Sequence, residues 1–171
     1  MVFQKNNTCC FSGHRPDKFP WKYDEKSTQC IQQKFRIELE IVKAVANGYN
    51  HFITGMAQGT DMYCAEIVLS LKRDYPHITL ECAIPFEGQE NRYPKTLRER
   101  YQNILSAANE RTVLSAEYTK PCFMIRNKYM VDKSSLLIAV YGGGSGGTKN
   151  TIEYAKRQNV EVITINPGGI K

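Results

Sequence analysis

Leu136-Leu137-Ile138-Ala139-Val140-Tyr141-Gly142-Gly143-Gly144-Ser145-Gly146-Gly147-Thr148 carries the clearest fold signal in the chain. Its first five residues are an unbroken apolar run, the pattern of a strand buried on both faces. A glycine-rich loop follows at once, and Thr148 opens a helical segment that reaches about Gln158. Strand, glycine loop and helix in that order form the repeating unit of a parallel α/β sheet. Five glycines in the six residues from Gly142 to Gly147 leave backbone amides unshielded, and Thr148 is placed to cap the helix. A helix N-terminus with bare amides attracts phosphate. No Gly-Lys-Ser/Thr follows, so this is not a Walker loop, nor is it the Gly-x-Gly-x-x-Gly of a first strand–helix unit.

The same alternation runs outward from this stretch in both directions. The final strand is Val160 to Ile165, and a helix opened by Pro121 precedes Leu136. Further upstream come strands at Thr8–Phe11, His51–Thr54, Ile78–Ile84 and, more weakly, Thr112–Leu114. Between them lie helices over about Thr60–Arg73 and Pro94–Ala108. Another carries Ile31, Phe35, Leu39, Val42 and Val45 at helical spacing and stops at Asn47-Gly48. The expectation is one domain over residues 1–171: a Rossmann-like, three-layer α/β fold with a mainly parallel sheet. The alternation leaves the strand order open.

Composition narrows the class. With 171 residues, 42% hydrophobic and 23% charged, the chain suits one soluble domain, and no run approaches a membrane span. The N-terminus does not read as a signal peptide, so a cytoplasmic location is expected. The six cysteines contain no Cys-x-x-Cys pair. They read as buried, reduced thiols with neither disulfide nor metal, and no cofactor is indicated. A net charge of +6 suits a phosphate-bearing partner, but the basic residues are interspersed with acidic ones and form no nucleic-acid arm.

In open α/β sheets ligands bind beyond the carboxyl ends of the strands, and four unusual loops fall there. They are Ser12-Gly13-His14-Arg15-Pro16, Gly55-Met56-Ala57-Gln58-Gly59-Thr60-Asp61, Pro85-Phe86-Glu87-Gly88-Gln89, and Gly142 to Thr148. All four are expected to line one crevice. Arg15 offers a bidentate phosphate clamp, whereas His14 lacks a partner nucleophile. Asp61 reads equally as a helix first-turn acid or as an acceptor for ribose or base hydroxyls. Phe86, Tyr93 and Tyr141 are candidates to stack on a base. Spacing alone puts Arg126 on an exposed helix face, beside Asn127.

Taken in order, Ser12-Gly13-His14-Arg15, Thr54 to Asp61, Ile84-Pro85-Phe86 with Tyr93-Pro94, and Arg126-Asn127 ahead of the glycine loop resemble the SLOG superfamily, most closely its YpsA-like branch. The likeness covers nearly the whole chain. It implies a Rossmann-like fold and brings Arg126 and Asn127 towards the site. The superfamily includes Smf/DprA single-stranded DNA-binding proteins, LOG phosphoribohydrolases and sensors of ADP-ribose-type nucleotides. LOG enzymes place a glutamate three residues after the loop threonine; here Thr151 stands there, and the nearest acid is Glu153.

Three functions follow from the residues and the resemblance. The first is a sensor or sequestering protein for a nucleotide or ADP-ribose-like ligand. The glycine loop would hold phosphate, Gly55 to Asp61 the ribose or a second phosphate, and Arg15 and Arg126 would supply charge. The second is a nucleotide N-glycosidase using Glu153, Asp61 or Glu87 as its acid. The third is single-stranded nucleic-acid binding through positive charge and the aromatics Trp21 and Tyr23. Assembly as a homo-oligomer is a further expectation.

Overall fold

In the computed structural model, which describes residues 2–168, the Leu136–Val140 run is a strand with every residue buried. Among the described residues six strands form one sheet: β1 (Thr8–Gly13), β2 (His51–Thr54), β3 (Thr79–Ile84), β4 (Glu110–Val113), β5 (Leu136–Val140) and β6 (Glu161–Ile165). Five α-helices connect them: α1 (Thr28–Ala46), α2 (Thr60–Leu71), α3 (Lys95–Ala107), α4 (Cys122–Asp132) and α5 (Gly147–Arg157). The spatial order is β4-β3-β2-β1-β5-β6, and every strand pairing is parallel. From β1 the chain therefore steps outward to β4, then crosses back to β5 on the other side of β1. That reversal opens a gap between the connections that leave β1 and β5, the usual ligand position in such sheets.

Two apolar layers sandwich the sheet. On one face α1, α2 and α3 bury Ile37, Ile41, Met62, Val68 and Tyr101 against Phe11, Phe52 and Ile138. On the other, α4 and α5 bury Met130, Val131, Ile152 and Ala155 against Cys10, Ile53 and Leu137. Cys9 and Cys10 thus point to opposite layers, as successive strand residues must. All six cysteines are buried and free. Burial pushes the Cys10 thiol up to about 12, so it stays protonated. Glu81 of β3 is buried too, between β2 and β4, where it accepts from His51 Nε2 (2.8 Å), Thr112 Oγ1 (2.7 Å) and the Tyr129 hydroxyl (2.7 Å). Burial alone would raise its pKa, but these donors hold the carboxyl below its ordinary value.

Several expectations are corrected in detail. Ser12 and Gly13 are the last residues of β1, paired with Ala139 and Val140, rather than loop. Gly146, with φ +138°, takes the N-cap of α5 and Thr148 lies inside the first turn, because only glycine tolerates that backbone. Pro121 likewise stands at the cap of α4. Trp21 is buried and stacked on Phe19 at 4.5 Å, so it is not a surface platform for bases, whereas Tyr23 is exposed. The largest correction concerns α1. Ser27 caps it, accepting from Cys30 N at 3.2 Å, and it buries Cys30, Gln33, Ile37, Ile41, Ala44 and Val45. Ile31, Phe35 and Leu39, whose spacing suggests the helix core face, are exposed instead. No helix among the described residues is long and apolar enough to cross a membrane.

Candidate functional site

At the gap between β1 and β5 lies a crevice of about 290 Å³. It is lined by the end of β1 and the turn after it, by Ala57 and Asp61, by one face of α4, and by Gly147 and Thr148 of α5. Two separate elements supply its three cations: Arg15 and Lys18 from the β1 turn, and Arg126 from α4. Its acids are Asp17 and Asp61. The first turn of α5 opens onto the same space, where its unsatisfied amides favour an anion.

The walls are held by close approaches that explain several glycines. A Cβ on Gly13 would collide with the Thr60 side chain, so glycine lets the end of β1 meet the start of α2. There Thr60 Oγ1 donates to His14 O at 3.0 Å. A Cβ on Gly55 would lie 2.7 Å from Cζ and Nη1 of Arg126. Glycine at 55 therefore admits a guanidinium that donates to Gly55 O and to Asn127 Oδ1 (2.8 Å). Arg126 is buried, which corrects the exposed position its helical spacing suggests. Its charge faces Asp61, whose Oδ2 accepts from Ala57 N at 3.1 Å. Burial raises the pKa of Asp61 above the ordinary carboxylate value, with Arg126 and the Ala57 amide opposing. Met56, between Gly55 and Ala57, is wholly buried and left-handed at φ 60°, a conformation that costs a side-chain-bearing residue about 1–3 kcal/mol.

His14 and Lys18 tie the first turn to the glycine loop. Gly142 N donates to His14 Nε2 at 3.0 Å, so the neutral imidazole carries its proton on Nδ1. Burial, followed by the nearby Lys18, pulls the His14 pKa below 6.5. Lys18 Nζ donates to Ser145 O at 3.3 Å. Tyr141 tilts against His14 and donates its hydroxyl to Gly144 O. Gly142 and Gly143, with His14, Lys18 and Asn166, line an adjoining recess of about 500 Å³. Gly144, Ser145 and Gly146 are exposed along the loop between the two spaces.

The remaining expected residues stand back from the crevice. The loop after β3 does not line it: Phe86 packs edge-on against Tyr118 and Phe123, Glu87 pairs with Arg111, and Gln89 is buried against the Tyr101 hydroxyl. Pro85 stays with that loop. Tyr93 packs on Tyr101. Met56, Gln58 and Gly59 shape the second wall without facing the space. Glu153 is exposed on α5 and paired with Lys149 at 3.9 Å, outside the crevice. Thr151, in the register of the LOG glutamate, is buried and turns its hydroxyl onto Gly147 O at 2.8 Å.

Sequence reasoning missed Asp17, Lys18 and Phe123. Lys18 lies three residues after Arg15 in a short 3₁₀ turn, and Phe123 three before Arg126 in α4. Helical spacing from the two arginines was the signal that could have found both. The Phe123 ring carries Arg15 and Arg126 at 5.4 and 5.8 Å from its centroid and so holds two like charges over one apolar surface.

The family model of the YspA SLOG family matches residues 9–167, a span that contains both walls of this crevice. The chain belongs to the YspA SLOG family. Relatives within reach include the SPbeta prophage-derived protein YoqJ of Bacillus subtilis, 31% identical over 139 residues, covering 74% of this chain and 81% of YoqJ. A UPF0398 protein of Bacillus cereus is 28% identical over 151 residues, covering 86% of this chain and 81% of the relative. Among solved structures, DNA processing protein A (DprA) of Streptococcus pneumoniae superimposes with TM-score 0.64 at 19% identity, over 94% of this chain and 50% of that one. DprA of Helicobacter pylori, a structure concerned with its single-stranded DNA binding mode, gives TM-score 0.60 at 18% identity, over 94% and 65%. This SLOG chain thus spans half to two thirds of those DprA chains, and at such identity the likeness shows the shared Rossmann-like fold.

Proposed function

We propose that the crevice binds a phosphate-bearing, nucleotide-derived ligand of the ADP-ribose kind and holds it intact, as a sensor or sequestering protein would. One observation carries this reading: the amino end of α5 and the cations Arg15, Lys18 and Arg126, from separate elements, open onto one space. Amide donors and guanidinium groups together are the chemistry that recognises phosphate. Asp61 adds an acceptor. One of its oxygens takes the Ala57 amide, and a ribose hydroxyl can donate to the other. Phe123 offers an apolar wall for the ligand's body. Glu153 and Glu87 lie outside the space and Thr151 is committed to Gly147 O, which weighs against N-glycosidic cleavage and leaves Asp61 alone of the three candidate acids at the crevice.

The decisive experiment is to denature the purified protein and identify any released small molecule by mass spectrometry, then titrate that molecule and ADP-ribose by calorimetry. Stoichiometric binding with no free base released is the expected result. Rapid base release would replace this reading with the N-glycosidase. A net charge of +6 supports a second reading, single-stranded nucleic-acid binding across the same cations. Affinity that climbs with oligonucleotide length and collapses with salt, with no response to ADP-ribose, would favour it.

A further inference from the structure

Beside the crevice three aromatic rings converge from three elements. Phe86 comes from the loop after β3, Tyr118 from the loop after β4, and Phe123 from the first turn of α4. Their centroids lie 5.5 Å (Phe86–Tyr118), 6.1 Å (Phe86–Phe123) and 6.3 Å (Tyr118–Phe123) apart, in the steeply tilted arrangement that aromatic rings favour. Packing accounts for Phe86 and Phe123, which are half-buried. It does not account for Tyr118, which leaves 61% of its surface exposed. The backbone that carries Tyr118 is fixed at both ends. Leu114 N donates to Ile84 O at 2.9 Å and Glu87 N to Ser115 O at 3.1 Å, which ties the loop after β4 to the loop after β3. Cys122 N donates to Thr119 O at 3.1 Å and ties the far end to α4. Tyr118 is thus an exposed ring held in place, a preformed surface with low ordering cost for a ligand.

Phe123 joins this cluster to the phosphate end of the site. Its ring lines the crevice and carries the guanidinium groups of Arg15 and Arg126 at 5.4 and 5.8 Å. Because the strands are parallel, the loops after β3 and β4 lie along the same carboxyl edge of the sheet as the crevice. Charge changes along that edge. The crevice end sets Arg15, Lys18 and Arg126 against Asp17 and Asp61, and adds the amides of α5. At the aromatic end Glu87 is paired with Arg111, and Glu117 is matched by Lys120 in the same loop. A nucleotide is polarised the same way, with anionic phosphate at one end and an uncharged aromatic base at the other.

We infer that Tyr118, backed by Phe86 and Phe123, is the surface on which the nucleobase of the crevice's ligand stacks. It is therefore the residue that separates nucleotides from base-free sugar phosphates. This rests on the reading of the crevice as a phosphate site. Stacking on a ring accepts any base, so the discrimination is between having a base and lacking one.

The test is calorimetry on the intact chain with ADP-ribose and with ribose 5-phosphate, which has no base. Tyr118→Ala should bind ADP-ribose roughly 5- to 150-fold more weakly, the range for one lost base–aromatic stack. Its affinity for ribose 5-phosphate and its melting curve should not change, because the side chain is exposed. Tyr118→Phe keeps the ring and should keep the parent affinity. Tyr118→Trp adds an optical readout, since Trp21 is the sole tryptophan and is buried. ADP-ribose should quench the new fluorescence and ribose 5-phosphate should leave it unchanged. Full ADP-ribose affinity in Tyr118→Ala, an equal loss for ribose 5-phosphate, or an equal loss in Tyr118→Phe would overturn the inference and leave the crevice reading standing. A parent protein that binds no ADP-ribose would overturn both.

Discussion

Gly55→Ala tests whether the buried guanidinium of Arg126 is the positioned charge of the crevice. Gly55 does not have a positive φ, so alanine adds no backbone strain, and the whole effect falls on the space its methyl needs. That methyl would lie 2.7 Å from Cζ and Nη1 of Arg126 and 2.8 Å from Nε, well inside contact distance. Arg126 must then move and give up its bond to Gly55 O. A displaced guanidinium also leaves Asp61 with a weaker counter-charge in a buried site. Overpacking of this kind costs about 1–3 kcal/mol of stability. At 2–4 °C per kcal/mol for a chain of this length, the melting temperature should fall by roughly 2–12 °C. One lost charge-assisted contact to phosphate is worth about 1.5–3 kcal/mol, so ADP-ribose affinity should weaken roughly 10- to 150-fold. Melting curves and calorimetry on the same samples read both numbers. Gly147→Ala is the control for the melting curve alone, since a methyl there meets nothing within 4 Å. If Gly55→Ala melts and binds like the parent, Arg126 is not held by Gly55, and its place in the site was misjudged.

Gly146→Val should abolish ADP-ribose binding measured by calorimetry, because φ +138° excludes a branched side chain and its Cβ would crowd Lys18 Nζ at 3.2 Å. Arg15→Ala, at an exposed position, should weaken binding about tenfold or more with an unchanged melting curve. His14 has a folded pKa below its unfolded value, so its contribution is complete above about pH 6.5 and is lost as pH falls towards the folded value. Melting temperature should therefore drop between pH 7 and pH 5 more steeply in the parent than in His14→Gln, whose amide oxygen still accepts from Gly142 N without titrating. Glu81→Ala strands the donors of His51, Thr112 and Tyr129 and should cost about 3–5 kcal/mol in urea unfolding.

The fold was legible because its signal is local and redundant. The Leu136–Val140 run, the glycine loop and the helix after it each point to the same unit, and the unit recurs along the chain. Strand order was not legible, since parallel pairing depends on contacts between distant segments, and six alternating units fit several orders. The α1 face was misread for a different reason. Period 3.6 reports that a ridge exists but not which way it faces. Here the inner face mixes Ile37, Ile41 and Val45 with Cys30, Gln33 and Ala44, which carry little apolar weight, while the outer face carries Ile31, Phe35 and Leu39. A helix with large apolar residues on both faces defeats the assumption that apolar means inside.

The site was legible by position and less so by role. Gly13 and Gly55 stand out in the sequence as glycines of the crevice loops, yet a Cβ at either would strike a side chain, Thr60 or Arg126. Their smallness brings protein groups together around the space, and the amides exposed to it come from Gly147 and Thr148. His14 was visible as an ionisable group after the first strand, but its Nε2 is occupied by Gly142 N. It holds the glycine loop at a fixed distance from β1 and leaves proton transfer to no partner. Both readings share a cause: a sequence lists chemical groups, whereas a role depends on which lone pair or face remains free once the chain has folded. For an anion site that remainder is the α5 amides, Arg15 and Lys18 at the rim, and Arg126 at the floor. Of these, Arg126 alone is fully desolvated. Its contact with a ligand would be the least screened by salt, and it is the charge whose removal should change the salt dependence of binding least relative to its effect on affinity.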